Sequence, residues 1–279
     1  MAKVKSKTQQ RDMKVVKKND LIQKSTFSLS LLQHKIVSFF ISKCRPHDDI
    51  TTVYEVSLKE FCDVCGINVD GSNNIAYIKK VLNDIYNQSI CIEDDNKIKW
   101  LRWFDKLEIQ KGKWDIVFSF SATMEDYLFN LRYQFTQYPL LYVLPMKHKS
   151  SIRLYELLKS FSNLGWCSMS LDVFKKRIDA QNYTKSYDLK RRCIDPAIEE
   201  INNYTDIRVS YTLRKEGREF KEISFIIEEQ PRLLQSLNEI RAREALTPDP
   251  NTPYKAFQRA IAGAYPEVEN QVANQNNQD

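Results

Sequence analysis

The sequence predicts an α+β protein built from two winged-helix domains in tandem, related by an internal repeat. Two short segments, 57–61 (SLKEF) and 170–174 (SLDVF), are similar to one another. Each is preceded by a predicted helix and is followed by a longer helix and then by strands. This order is typical of a helix-turn-helix with a β-hairpin wing behind it. Two unrelated α+β modules are the alternative, which the shared order disfavours.

The first unit begins with a helix that Ser30 can cap and that runs to Cys44. Ser57 is a good N-cap for the short helix, and Glu60 stands at the capping-box position. Apolar residues at helical spacing predict the longer helix over 73–87. Strands are predicted at 89–92, 98–103 and 114–120, and the last two flank a turn at 111–113.

The second unit repeats the plan. A helix is predicted over 148–161, and Ser170 is the N-cap of the next, short helix. A long helix over 183–202 follows. The strands 207–213 and 220–227 are joined by the basic turn 214–218, as in a β-hairpin.

A further helix over 121–130 and an apolar stretch over 137–146 separate the two units. Two prolines in that stretch indicate an interdomain connection. We therefore predict a basic flexible arm (1–14), an N-terminal winged-helix domain (15–138), a C-terminal one (139–229) and a largely disordered tail rich in Pro, Asn and Gln (230–279).

Composition narrows the class of protein. A chain of 279 residues with net charge +6 suits two domains of ordinary size. No apolar window is long enough to span a membrane, and the N-terminus does not read as a secretory signal, so we expect a soluble, cytoplasmic protein. The positive charge gathers in the N-terminal arm and near residues 185–192. Such patches favour a polyanionic partner, although a solvated surface is the alternative.

Enzymatic motifs are missing from the sequence. The six glycines form neither a phosphate-binding loop nor a dinucleotide fingerprint. His34, His47 and His148 are far apart, and each is interpreted as an ordinary surface or packing residue. Cys62 and Cys65 form a lone C-x-x-C, which is a weak metal or redox signal and is better explained by buried structural cysteines. We expect a binding protein with no catalytic site, cofactor or metal.

The long helix of the second unit is the predicted recognition helix. Leu189, Cys193, Ala197 and Ile201 recur every four residues and form its core-facing stripe. Basic residues crowd its N-terminal half, which is the part of a recognition helix that usually meets base edges. An arginine there can bond bidentately to guanine or hold a phosphate. The DNA contacts predicted in this region are Lys185, Ser186, Lys190, Arg191 and Arg192.

Two further features of this domain bear on DNA binding. Pro196 predicts a bend or a fresh start of the helix near Asp195. The hairpin turn is the predicted wing, with Arg214, Lys215 and Arg218 as contacts to flanking phosphates or the minor groove. A solvated turn is the alternative for the wing.

The equivalent surface of the first unit carries less charge. We expect weaker or purely positional contacts there, or a role in dimerisation. Tyr77 could instead be a packing residue. The residues predicted to form this front are Asn73, Asn74, Tyr77, Lys79 and Lys80.

The same segments carry a family resemblance. Residues 187–202 (YDLKRRCIDPAIEEIN), then 205–209 (TDIRV) and 221–225 (KEISF), resemble the replication initiator (Rep) proteins of iteron-containing plasmids. The opening 14–22 (KVVKKNDLI) is also similar to that family, and the likeness spans about residues 14–228.

The resemblance implies a function as well as a fold. It implies two winged-helix domains, the C-terminal one supplying the main sequence readout and the N-terminal one dimerisation and secondary contacts. Lys190, Arg191 and Arg192 fall where family members contact the repeated origin sequences called iterons. Monomers of the family bind iterons and help to open the duplex, while dimers repress their own gene through an operator. The host initiator and the replicative helicase are the implied partners.

Two other functions remain open from the sequence. A winged-helix transcriptional regulator without an origin function would share the fold, and tandem direct repeats beside the gene would favour the initiator instead. A DNA-nicking replication enzyme is disfavoured because no metal-ligand cluster is visible.

Overall fold

The computed structural model describes residues 13–65, 72–94, 96–110, 115–217 and 219–230. Most of the predicted arm, the predicted tail beyond residue 230, the turn at 111–113 and Arg218 lie outside these residues. The side chains of Asn73 and Asn74 lie outside the description as well.

The first half of the chain combines five helices with eight strands among the described residues. The helices are α1 (Asn19–Gln23), α2 (Leu31–Ile41), α3 (Leu58–Cys65), α4 (Ser72–Tyr86) and α5 (Glu125–Leu128). The strands are β1 (Lys14–Lys18), β2 (Ser25–Thr26), β3 (Tyr54–Ser57), β4 (Ser89–Glu93), β5 (Ile98–Arg102), β6 (Phe104–Gln110), β7 (Asp115–Phe120) and β8 (Phe135–Pro139).

The second half repeats the arrangement with fewer strands. Its helices are α6 (Lys149–Lys159), α7 (Leu171–Arg177), α8 (Ser186–Leu189) and α9 (Asp195–Tyr204), and its strands are β9 (Trp166–Ser170), β10 (Ile207–Glu216) and β11 (Glu219–Glu229). A π-helical turn over Lys190–Ile194, called the π turn below, joins α8 to α9.

The internal repeat is visible in the sheets. The N-terminal sheet has the strand order β3-β7-β6 and the C-terminal sheet the order β9-β11-β10. In both, the strand before the short helix lies at one edge and the second strand of the hairpin lies in the centre. Each half therefore has a helix-turn-helix followed by a β wing, which confirms the predicted winged-helix domains.

One prediction about the first wing was wrong. The turn at 111–113 was expected to join strands 98–103 and 114–120, but β6 intervenes and is the strand that pairs with β7. Residues 98–102 form β5, which pairs instead with β4 in a separate sheet of order β2-β4-β5. The apolar runs of β5 and β6 are separated only by Trp103, which is fully buried, so no turn residues mark the break.

The helix caps follow the sequence closely. Ser30 and Gln33 form a complete capping box at the start of α2. The Ser57 hydroxyl accepts a hydrogen bond from the Glu60 backbone N–H at 3.1 Å. The Glu60 carboxylate, however, binds Lys43 Nζ at 2.6 Å and does not complete the box predicted for it. A charged partner from the turn after α2 offers that carboxylate a stronger bond than a backbone amide does.

The connection between the domains is part of the core. Leu140, Val143 and Met146 are buried, and α6 packs against α1 and α2 on one side and against α9 on the other. The boundary near 139–146 is therefore not a solvent-exposed linker. Lys17 follows the basic N-terminal arm in the sequence, but its side chain is buried against Glu156 of α6, with Nζ 2.5 Å from Oε1.

Candidate DNA interface

The recognition helix of the C-terminal domain is anchored by its apolar stripe. Leu189, Cys193, Ala197 and Ile201 are all buried, as their four-residue spacing predicted. Burial raises the pKa of the Cys193 thiol to about 11, so it stays a neutral packing group. The opposite side of this helix is therefore the side left to solvent.

The predicted DNA contacts of this helix lie on that solvent side. Lys185, Lys190, Arg191 and Arg192 are exposed, and Ser186 is half-buried at the start of α8. They occupy the first two turns, where a recognition helix meets a groove. None of these side chains is covered by the core, so they remain available to a ligand.

The helix changes geometry beside these residues. Pro196 has no backbone N–H and its ring would meet the carbonyl of Arg192, four residues earlier. The chain accommodates this with the π turn, after which Pro196 sits in the first turn of α9, where a missing N–H costs nothing. The predicted break thus takes the form of a bulge, and the bulge carries Arg191 and Arg192.

The three basic residues of the π turn differ in their partners. Lys190 Nζ donates to both oxygens of Asp195 at 2.8 Å. Arg192 Nε lies 3.5 Å from Asp188 Oδ1, a loose pair one turn away. The Arg191 guanidinium lies 5.6 Å from the centre of the Tyr187 ring, and no carboxylate of the described residues forms an ion pair with it. Of the three side chains, Arg191 is therefore the most available to bind DNA.

Sequence reasoning missed two further groups of this domain. Tyr187, at the start of the recognition helix, is 68% exposed, although a large aromatic side chain is usually more buried. The last turn of the preceding helix, α7, carries Lys175, Lys176 and Arg177. Their adjacency in the sequence was the available signal for that second basic cluster.

The wing contributes charge that is partly neutralised. Arg214 donates from Nε to Glu222 at 2.6 Å, and Glu222 also accepts from Ser168 at 2.5 Å. These bonds and the positive charge of Arg214 lower the pKa of the Glu222 carboxyl. Lys215 lies over the Phe220 ring at 4.9 Å. Gly217, with φ +63°, allows the tight turn, while the third predicted wing residue, Arg218, lies outside the described residues.

The predicted front of the first domain is divided by the geometry of α4. Tyr77 is half exposed and Lys80 is exposed. Lys79 is also exposed, but it lines a groove between α4 and β6, with Leu82 and Tyr86 among its neighbours. Two residues along a helix turn a side chain about 200°, so Lys79 and Tyr77 lie on different sides. The described part of this surface therefore presents little contiguous charge.

The remaining titratable groups fit structural roles. Cys62 and Cys65 are buried, as expected for structural cysteines, and burial raises the pKa of Cys65. His148 Nδ1 lies 2.9 Å from Glu200, and His34 is buried. In the ranges that the structure describes, no group of three or more His, Cys, Asp or Glu side chains could hold a metal ion. No helix there is long and apolar enough to cross a membrane.

Comparison with known proteins also gives two domains, although the first match extends to residue 159, past the predicted boundary near 139. The sequence model described as "Initiator Replication protein, WH1" matches residues 14–159. The model described as "Initiator Rep protein, WH2" matches residues 170–227. Together they cover most of the chain.

Two individual proteins are also similar. An uncharacterized 27.6 kDa protein of Escherichia coli is 29% identical over 110 residues, which make up 39% of this chain and 45% of that protein. The chain thus matches less than half of that relative. The crystal structure of the Pi initiator protein in complex with iteron DNA superposes with a TM-score of 0.63 at 18% identity, covering 79% of this chain and 99% of that one. At this identity the likeness concerns the fold. By the two matching family models, the chain belongs to the plasmid initiator (Rep) replication proteins, which are built from two winged-helix domains.

Proposed function

We propose that this protein initiates plasmid replication by binding repeated origin sequences, or iterons, sequence-specifically, with the C-terminal domain as the main reader. Membership of the initiator family and the likeness in fold to an initiator bound to iteron DNA support this proposal. The observation that carries it is the recognition helix, which buries its apolar stripe and leaves Arg191 and Arg192 exposed on the π turn.

The contacts divide by chemistry. Arg191, which has no competing carboxylate among the described residues, suits a bidentate bond to guanine in the major groove. Arg192, Lys185 and Ser186 suit phosphate or base contacts around it. The wing, with Arg214, Lys215 and Arg218, is proposed to touch the flanking backbone. Arg214 must give up its bond to Glu222 to do so, and we expect its contribution to be the smaller one.

The N-terminal domain is proposed to serve dimerisation and secondary DNA contacts. Its candidate DNA contacts remain Asn73, Asn74, Tyr77, Lys79 and Lys80, with Tyr77 and Lys80 the better placed of the described side chains. An edge strand of this domain, β5, also exposes Ile98 and Trp100. We retain the division into domains 15–138 and 139–229 as part of the proposal.

The wider role follows from the family resemblance. We propose that the bound monomer promotes origin opening and recruits the host initiator and replicative helicase, and that a dimer represses the protein's own gene through an operator. The protein would do this by binding and deforming DNA rather than by catalysis.

The test is a binding titration, at several salt concentrations, on a duplex carrying any tandem direct repeats found beside the gene, against a scrambled duplex. The wild-type protein should prefer the repeats and show a steep salt dependence. Arg191→Ala and Arg192→Ala should each lose about 1–3 kcal/mol of binding with folding intact.

Arg208→Ala is the matched control, because Arg208 is exposed on β10 at the end of the hairpin away from the wing tip. Its affinity for the repeats should equal that of the wild type. Equal binding of the wild type to repeats and scrambled DNA would overturn the proposed function, and full affinity of both arginine variants would overturn the assignment of the reading helix.

A further inference from the structure

Three side chains form a hydrogen-bonded network across the recognition helix and the wing. Lys190, the first residue of the π turn, donates to both Asp195 oxygens at 2.8 Å. The Tyr211 hydroxyl, from strand β10, donates to Asp195 Oδ1 at 2.5 Å. Lys190 Nζ also lies 5.5 Å from the centre of the Tyr211 ring. The network joins the first residue of the π turn, the residue that follows the turn and the first strand of the wing.

This arrangement closes the π turn across its own ends. Asp195 begins α9 immediately after the turn, so the Lys190–Asp195 bond spans the segment that carries Arg191 and Arg192. Single π-helical turns inside α-helices are rare and are frequently found at functional sites, and here a side-chain ion pair joins the two ends of the turn. Tyr211 then ties the closed turn to the sheet that ends in the wing.

The charge of Lys190 is already matched within the protein. Its hydrogen bonds to Asp195 and Tyr211 raise the pKa of Lys190 to about 12. Burial by itself would raise the pKa of Asp195, but the bonds from Lys190 and Tyr211 bring it below its usual value. A phosphate would have to displace a carboxylate that already uses both oxygens. Lys185, by contrast, is exposed and forms no ion pair with the described residues.

We propose that Lys190 is a positioning residue rather than a DNA contact, and that the Lys190–Asp195–Tyr211 network holds the π turn so that Arg191 and Arg192 point into the groove. This rests on the proposed function, of which it deepens the site. It also changes the role predicted for Lys190 from the charge pattern alone.

Salt dependence separates a positioning residue from a phosphate contact. Each phosphate neutralised adds about 0.9 to the slope of log K against log salt concentration. Lys185→Met, which removes a proposed phosphate contact, should lower that slope by about 0.9. Lys190→Met should leave the slope unchanged, yet weaken binding to the repeats about fivefold or more, the lower end of the loss of a base contact. Binding of Lys190→Met to scrambled DNA should not change.

Asp195→Asn gives a prediction of opposite sign under the two roles. If the network positions the arginines, this variant binds the repeats more weakly although it removes a negative charge near DNA. Tyr211→Phe, which changes no charge, should weaken repeat binding in the same direction. If Lys190 contacts phosphate, Asp195→Asn frees it and binding tightens, and Lys190→Met lowers the slope as Lys185→Met does. Either of these results would overturn the proposal.

A measurement without DNA keeps the two proposals distinguishable. Hydrogen exchange of the amides in the π turn should accelerate in Lys190→Met, Asp195→Asn and Tyr211→Phe, and stay unchanged in Lys185→Met. Unchanged exchange in all four would overturn the network even if the protein reads the repeats. Accelerated exchange in a protein that does not prefer the repeats would retain the network and reject the proposed function.

Discussion

Lys35 on α2 is a buried lysine close to the domain junction. Lys35 is 4% exposed, and no carboxylate of the described residues forms an ion pair with it. Burial lowers the pKa of Lys35 to about 8, while Cys65 and Glu200 act to raise it and Lys147 to lower it. The protein therefore holds a charged group at neutral pH in a place that favours the neutral form.

Replacing Lys35 by methionine should stabilise the protein. The pKa of Lys35 is lowered in the folded state. Burying this side chain therefore costs no charging energy above the unfolded pKa of about 10.4, where the amine is neutral in both states, and the protein loses stability as the pH falls from there through 8. Lys35→Met should raise the free energy of unfolding by up to about 3 kcal/mol at pH 7, because each unit by which the pKa is lowered corresponds to about 1.4 kcal/mol, and the gain should shrink between pH 8 and 10. Urea unfolding at several pH values measures this, and a gain independent of pH would contradict it.

Strand β5 stands at the edge of its sheet with an unusual surface. Trp100 is 69% exposed and Ile98 is 50% exposed, and both lie on one side of a strand that has no second neighbouring strand among the described residues. Exposed edges with large apolar side chains are places where chains pair with one another. The proposed dimer therefore has a candidate contact on the N-terminal domain, away from the recognition helix.

Trp100→Glu should shift the protein toward the monomer. Aromatic residues at the centre of an interface carry much of its energy, so we expect the dimer dissociation constant to rise about tenfold or more. Trp166→Glu is the matched control, since Trp166 is also exposed but lies on β9 of the C-terminal domain. Sedimentation equilibrium measures both variants. An equal loss in the two, or no loss in Trp100→Glu, would exclude β5 as the contact.

Helix α6 is joined to the N-terminal strands β1 and β8 by buried charges as well as by apolar packing. Glu156 of α6 is fully buried and accepts from Lys17 of β1 at 2.5 Å and from the Tyr138 hydroxyl. Arg153 lies 3.7 Å from its second oxygen and donates to the Ser25 carbonyl at 3.2 Å. Removing one member of such a cluster leaves the other charged groups buried without a partner.

Glu156→Leu should therefore destabilise the whole protein by about 3–5 kcal/mol. The double variant Lys17→Met, Glu156→Leu should recover part of that loss, because it no longer buries an unpaired ammonium group. Asp20→Ala, which breaks the half-exposed pair with Lys24, is the control and should cost no more than about 1 kcal/mol. Guanidinium unfolding provides the values. A Glu156→Leu protein as stable as the control would show that this cluster does not hold α6 to β1 and β8.

Local patterns in the sequence determined the units of this protein. The caps at Ser30, Ser57 and Ser170, the apolar stripe of the recognition helix and the break near Pro196 were all predictable, because each depends on residues within a turn or two. The exposure of Arg191 and Arg192 followed from that stripe. Their contact with DNA remains a prediction.

Tertiary structure alone decided which groups meet. It separated β6 from β5, buried Lys17 beside Glu156 and turned Glu60 toward Lys43. It also brought Tyr211 to Asp195, 16 positions away, and so gave Lys190 a partner that its place in a basic run did not reveal. Charge and periodicity describe a residue and its near neighbours, whereas the partner of a buried or bonded side chain depends on how distant segments pack.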